Sequence, residues 1–291
     1  ARYLFNAGFT PTEWNNKVLN DPHFKVVWYR ANSRDVFPTV DIKGGVAVMF
    51  HDLTQDFGAI GIFKAYPELD SIALRVAKVG GASLIDIVYA ESSYRFDTSK
   101  PEVSKLVQER LGGDKKIISN IFDKLPDLFI ATKREGAIGF YGRTESKRCI
   151  RYAQRSLFEE HPNLEYYKVL VPESNGSGAI GEVLSTPLIG EPLIGVTQTF
   201  ITIGAFKTRA EAEACLKYVK TRFARTMLGM LKATQHNPKD TWRLVPLQDF
   251  TSSSDIDWSR SVDEIDAQLY RKYGLDPSEI AFIEEKVRPM E

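Results

Sequence analysis

The feature that most constrains this chain is an apolar stripe carried by residues 208–235. Ala212, Leu216, Val219, Phe223, Met227 and Leu231 recur every three or four residues. On a helix they share one face, and that face must be buried against something. Thr208 with Glu211 three residues on has the spacing of a capping box, in which hydroxyl and carboxylate each take an N–H group that a helix start leaves unpaired. One helix from about Thr208 to Gln235 is predicted. Lys217, Lys220, Arg222, Arg225 and Lys232 fill its other faces, either as an ordinary solvated surface or as one that meets a polyanion. Three loop-forming pieces surround it: Pro172 to Gly178, the apolar run Thr197 to Gly204, and Trp242 to Leu247.

With 291 residues, 43% of them hydrophobic, the chain can bury a real core, and its length suggests two domains. Formal net charge is zero, but the average hides a segregation. Lys133, Arg134, Arg143, Lys147, Arg148, Arg151 and Arg155 cluster around only Glu135 and Glu145, whereas residues 251–291 lean acidic. A local basic surface is therefore compatible with neutrality. Cys149 and Cys215 are far apart and read as small buried hydrophobes of a reducing compartment. The four histidines show no metal-ligand spacing, so no metal is expected. No apolar run reaches the roughly 20 residues of a membrane span, which leads to the expectation of a soluble, cytoplasmic protein.

The opening Ala1-Arg2-Tyr3-Leu4-Phe5 begins in the middle of a pattern and reads as a piece of something longer. Thr10-Pro11-Thr12-Glu13 predicts a capped helix to about Asn20. Strands are expected at Phe24 to Tyr29, Gly45 to Phe50 and Ala59 to Lys64, the last reached through the turn Asp56-Phe57-Gly58. Short helices should follow at Leu69 to Val79, Ser83 to Val88, Pro101 to Leu111 with Ser99 and Glu102 as its cap, and Lys116 to Leu125. Ala137 to Tyr141 and Arg148 to Ala153 alternate as strands around a basic turn, Gly142 to Lys147. Tyr166 to Val171 and Thr199 to Ile203 add two more. Ser261 with Glu264, and Asp276 with Pro277 and Glu279, mark two final capped helices in an acidic appendage.

Several catalytic signatures fail on inspection. Gly176-Ser177-Gly178-Ala179-Ile180-Gly181 matches G-x-G-x-x-G, but the dinucleotide site needs a strand before it and a helix opening inside it. Pro172 interrupts the first requirement, and Pro187, Gly190, Pro192 and Gly195 deny the second. No Walker loop, G-x-S-x-G or H-E-x-x-H is present, so no catalytic residue is expected within the chain.

Asp35-Val36-Phe37-Pro38, followed by a loop and the strand Val46-Ala47-Val48-Met49-Phe50, resembles motif VIII of TaqI-like adenine-N6 DNA methyltransferases. The longer string Phe37-Pro38-Thr39-Val40-Asp41-Ile42-Lys43-Gly44-Gly45-Val46 is similar to the large methyltransferases of restriction-modification systems, including single-chain enzymes that also cut. So are Asn175-Gly176-Ser177-Gly178, Trp242 to Phe250, and the tail from Ile256-Asp257-Trp258-Ser259 to Ile283-Glu284. The resemblance implies that Phe37 stacks on a flipped adenine. It implies also that residues 1–52 are the last strands of a methyltransferase domain, the rest being the region that recognises the target sequence. The family's cofactor-binding glycine motif and its Asn-Pro-Pro-Tyr are missing here; Asn237-Pro238-Lys239-Asp240 lacks the second proline and the aromatic. S-adenosylmethionine would then belong to the parent enzyme and not to this chain.

The expected fold is α+β: a remnant of a doubly wound methyltransferase sheet (1–52), a helical connector (53–130), a DNA target-recognition domain (131–250) and a helical tail (251–291). The expected partners are double-stranded DNA and the missing N-terminal methyltransferase half. Duplex binding draws affinity from Lys and Arg on phosphates and specificity from side chains at base edges. The candidate DNA contacts are Lys43, Arg143, Lys147, Arg148, Arg151, Asn175, Ser177, Lys220 and Arg222. For Phe37 the alternative is ordinary core, for Asn175 to Gly178 a simple turn, and for the whole chain a protein-interaction or assembly module.

Overall fold

A computed structural model describes residues 1–5, 10–40, 42, 44–145, 147–175, 180–232 and 235–290. The chain opens with helix α1 (Thr12–Asn20) and the antiparallel pair β1 (Phe24–Arg30) and β2 (Val46–His51). Next come α2 (Pro67–Val79), β3 (Val88–Tyr89), α3 (Pro101–Leu111) and α4 (Ile121–Lys124). The middle of the chain holds β4 (Ala137–Thr144), β5 (Lys147–Gln154), β6 (Tyr167–Pro172), β7 (Leu188–Gly190), β8 (Ile194–Val196) and β9 (Phe200–Phe206). Four helices complete it: α5 (Arg209–Lys220), α6 (Arg222–Gly229), α7 (Val262–Lys272) and α8 (Pro277–Lys286). The fold is α+β.

Beyond β1 and β2, the strands form a four-stranded sheet ordered β3-β9-β6-β7 and a three-stranded sheet ordered β5-β4-β8. The first is buried on both faces. Val169, Val171, Ile201 and Ile203 point into a core shared with α2, α5, α6, α7 and α8, while Leu170 and Phe200 point into a second core. Burial on both sides explains why Val169, Leu170 and Val171 follow one another as apolar residues instead of alternating with polar ones. The second core is aromatic, with Phe96, Phe122, Phe129, Phe140 and Phe158 in mutual edge or tilted contact.

Predicted helix 208–235 is two helices. The capping box at Thr208 and Glu211 forms as expected, but Thr221 is extended (φ −59°, ψ 148°) and divides α5 from α6. Its hydroxyl donates to the carbonyl of Tyr218 and accepts from the N–H of Ala224, closing one helix and opening the next. Asp266 of α7 supplies the rest, its carboxylate accepting from the N–H groups of Arg222 (2.9 Å) and Phe223 (2.8 Å). Three N–H groups at the start of α6 are thereby satisfied, two of them by a residue more than forty positions away. The apolar stripe gave no sign of this, because it runs unbroken through Val219, Phe223 and Met227, all buried.

The helices after residue 250 are part of the first core: Ile265, Leu269, Tyr270, Phe282 and Ile283 are buried in it. Arg75 of α2 clasps them, reaching Glu279 (2.8 Å), Asp276 (2.8 Å) and the carbonyl of Gly274 (2.7 Å). Both expected capping boxes form there, at Ser261 and at Asp276. Elsewhere the expectations shift. Residues 59–64 form no strand, because Gly58 and Gly61 adopt φ of 79° and 58°, outside extended geometry. Lys116 to Leu125 is helical only over Ile121–Lys124. Neither Thr10 nor Ser99 caps a helix; Pro11 and Lys100 hold those positions without a side-chain bond.

Burial lifts the Asp266 carboxyl from its ordinary 3.8 to about 6, against the opposing pull of the two N–H donors and of Arg222 and Arg225. Since the folded-state value lies above the unfolded one, the folded protein holds the extra proton between about pH 4 and pH 6. Stability from this group therefore falls as pH rises through that window, by up to about 3 kcal/mol. We expect chemical denaturation of Asp266→Asn against the unsubstituted chain to show this step removed. A variant that keeps the step would mean that another group titrates there.

Candidate nucleic-acid interface

The expected basic turn is a true two-residue turn, and β4 and β5 run up to it on either side. Thr144 pairs with Lys147, and Glu145 between them sits at φ 47°, a left-handed conformation that non-glycine residues adopt at a cost. Because the strands reach further than expected, Arg143 and Lys147 join Arg148 as strand residues with defined faces. Arg143 and Arg148 are directly opposite each other and share one face; Lys147 and Arg151 lie on the other, Arg151 opposite Phe140.

Strand β8 pairs with β4 only over Gly139 to Tyr141. Beyond that point the hairpin is a two-stranded ribbon, supported from the sides. On the face of Lys147, the Thr144 hydroxyl donates to Asp123 (2.5 Å), and a side chain added at Gly142 would meet the Phe122 ring and Thr197. On the face of Arg148, the guanidinium lies over the ring of Phe200, 5.4 Å from its centroid. Lys133, Arg134, Arg143, Lys147 and Arg148 are exposed. None of these five, nor Arg151, takes part in an ion pair among the described residues, in contrast to Arg155, which holds Glu160 and Glu165. Like charges set directly opposite on a sheet repel, so the Arg143 and Arg148 pair costs the isolated fold stability.

The basic residues of the central helices have different surroundings. Arg222 is only 17% exposed, pairs with Asp263 (2.8 Å) and donates to the carbonyl of Val287. It lines a cavity of about 540 Å³ together with Asp266, Tyr270, Arg271 and Glu284. Arg225 is buried and donates to the carbonyls of Lys220, Glu182 and Arg288. Lys217 donates to three successive carbonyls, of Trp258, Ser259 and Arg260. Lys220 is half-buried and also engaged. These cations join α5 and α6 to the neighbouring chain; they are not gathered with those of the hairpin.

Asn175 is buried, and its polar groups are used internally. Its amide donates to the carbonyl of Val183, its side-chain oxygen accepts from Asn237 (2.6 Å) and Lys232 (3.4 Å), and its N–H donates to the carbonyl of Gln235. Ser177 and Lys43 lie outside the described residues. The base of this loop lies beside the hairpin's support, because Pro172 pairs with Phe200 and the Glu173 N–H donates to the carbonyl of Thr199. Sequence reasoning missed Phe200 as a partner of Arg148, and no local signal points to it, since the two are brought together by the meeting of two sheets.

Phe37 lies in the loop between β1 and β2 and is 47% exposed. Buried Ser33 organises that loop, its hydroxyl donating to the carbonyl of Val40 (2.9 Å) and accepting from the N–H of Ile42 (2.7 Å). The phenyl ring is thus presented on an ordered turn and is not packed into core. Strands β1 and β2 and the turn that follows them expose further apolar side chains: Val27, Val48, Phe50 and Leu53. Among the described residues no group of three His, Cys, Asp or Glu could hold a metal ion, and no helix is long and apolar enough to cross a membrane.

No known family model and no curated protein sequence matches this chain. Among solved structures, the type IIG restriction endonuclease BpuSI is similar to it over 76% of this chain and 32% of that one, at 12% identity and a TM-score of 0.36. The chain therefore spans about a third of the length of that structure.

Proposed function

We propose that this chain is a sequence-specific duplex-DNA recognition module, acting for an adenine-N6 DNA methyltransferase of a restriction-modification system. The observation that carries the proposal is the β4–β5 ribbon. It presents Arg143, Lys147 and Arg148, with Arg151 at its base, and none of them has an acidic partner among the described residues. A two-stranded ribbon fits the major groove of B-DNA, and cations on its two faces can meet base edges and backbone together. Phosphates would also relieve the repulsion between Arg143 and Arg148.

Methyl transfer on this reading belongs to a separate catalytic half, which would also hold S-adenosylmethionine. The glycine-rich segment of this chain has, on that reading, no part in holding the cofactor. Strand β6 leads toward the glycine-rich segment, but residues 180–187 form no helix and the next described element is β7, so the strand–loop–helix order of a dinucleotide-type site is lacking among the described residues. A protein surface is favoured by a separate observation: among the described residues β1 and β2 form a sheet of two strands, with Val27, Val48, Phe50 and Leu53 exposed on it and beside it. A two-stranded sheet is marginal by itself. We assign this surface to the catalytic half, against which Phe37 would be placed to stack on an extruded adenine.

Replacing Lys147, Arg148 and Arg151 together by Ala should weaken binding to duplexes of every sequence. It should also flatten the plot of log affinity against log salt by about 0.9 for each phosphate that is no longer neutralised. An unchanged slope would show that these charges do not meet DNA. Phe37→Ala is expected to leave the thermal stability of this chain within about 0.5 kcal/mol of the original, as for an exposed side chain. In an enzyme that includes the catalytic half it should lower methylation and change the fluorescence of 2-aminopurine at the target position. Unaltered methylation and fluorescence would remove Phe37 from the base-flipping site.

A further inference from the structure

We infer that Arg148 is the base-reading arginine of the hairpin and that it takes the major-groove edge of a guanine. The inference rests on the duplex-binding reading and assigns, within that surface, which cation reads sequence and which ones hold the backbone. Four basic side chains lie on or beside the ribbon, and among the described residues Arg148 is the one whose charged group has a fixed partner. The guanidinium of Arg148 lies over Phe200, whose ring is 1% exposed and is itself fixed by Tyr141 at 5.2 Å and by pairing of its backbone with Pro172. Stacking a planar guanidinium on an aromatic face restricts its orientation and leaves its N–H fork free at the edge. That fork is not used inside the protein, since no carboxylate pairs with Arg148 among the described residues.

Guanine offers two acceptors, O6 and N7, side by side in the major groove, and a rigid planar fork matches both at once. A side chain already held in the binding orientation loses less freedom on contact, which favours selective recognition over loose attraction. The neighbours suit the other role. Arg143 lies directly opposite, where like charge opposes a second cation on the same platform; Lys147 and Arg151 are on the reverse face of the ribbon. Those three are placed for the flanking phosphates, which carry no sequence information themselves.

The test is selection of the full chain on a randomised duplex pool, followed by affinity measurement on the enriched sequence at several salt concentrations. The unsubstituted chain should enrich a sequence with an invariant guanine. Arg148→Lys, which keeps the charge but not the fork, should reduce the preference for that guanine over other bases about ten-fold or more, with the salt slope nearly kept. Lys147→Ala should do the reverse, lowering the slope and sparing the preference. If Arg148→Lys fails to fold, Arg148→Gln gives the same reading and should move the preference toward adenine, whose N6 and N7 match an amide. An undiminished guanine preference in these variants overturns the inference. So does salt-sensitive binding by the unsubstituted chain with no base preference, and in both cases duplex binding itself stands. Absence of any salt-sensitive duplex binding by the unsubstituted chain removes the duplex-binding reading, and the role of Arg148 with it.

Discussion

Strands β6 and β9 have apolar contacts on both faces, and the rest of the molecule is arranged by that constraint. Side chains alternate along a strand, so Val169, Val171, Ile201 and Ile203 commit one face to the helices while Leu170 and Phe200 commit the other to the aromatic cluster. Neither core could be completed alone. Phe200 shows the consequence for function: it stands where β9 begins, is buried between the two sheets, and supports the one arginine of the hairpin that has an aromatic platform. A change in sheet packing would therefore reach the surface through Arg148.

The polar interior follows the same division. Asn163 accepts from the Tyr94 hydroxyl and donates to Thr202 and to the carbonyl of Gly204, fastening the sheet to the second core. Lys168 is fully buried with its ammonium aimed at the carbonyls of Leu164, Glu191 and Ile194, and burial pushes its pKa down to about 7. On the helical side, Asp266 and Thr221 hold the junction of α5 and α6. Thr221 acts locally, but Asn163, Lys168 and Asp266 each give a backbone group that secondary structure leaves unpaired a partner more than twenty positions away.

That distance separates what the sequence showed from what it concealed. Capping at Thr208, Ser261 and Asp276 was legible because both members of each pair lie within one turn of helix. The break at Thr221 was not, because the acid that caps α6 comes from α7 while the stripe itself continues. Basic residues on α5 and α6 looked like surface charge; Lys217, Arg222 and Arg225 instead satisfy carbonyls, which carry no mark in sequence. The basic cluster at 133–155 was visible by composition, but its division into two faces depended on a turn of two residues rather than six. Strands β7 and β8 escaped notice because each has only three residues and they flank Glu191 to Leu193, a proline-containing turn.

The central claim is that the β4–β5 ribbon is the surface that meets duplex DNA, and amide hydrogen exchange measured with and without a saturating duplex tests it most directly. The account predicts slower exchange across residues 143–151 on adding DNA, diminishing as salt is raised, with the amides of α6 and α7 unchanged. Protection confined to β1 and β2, or protection that is insensitive to salt, would contradict it.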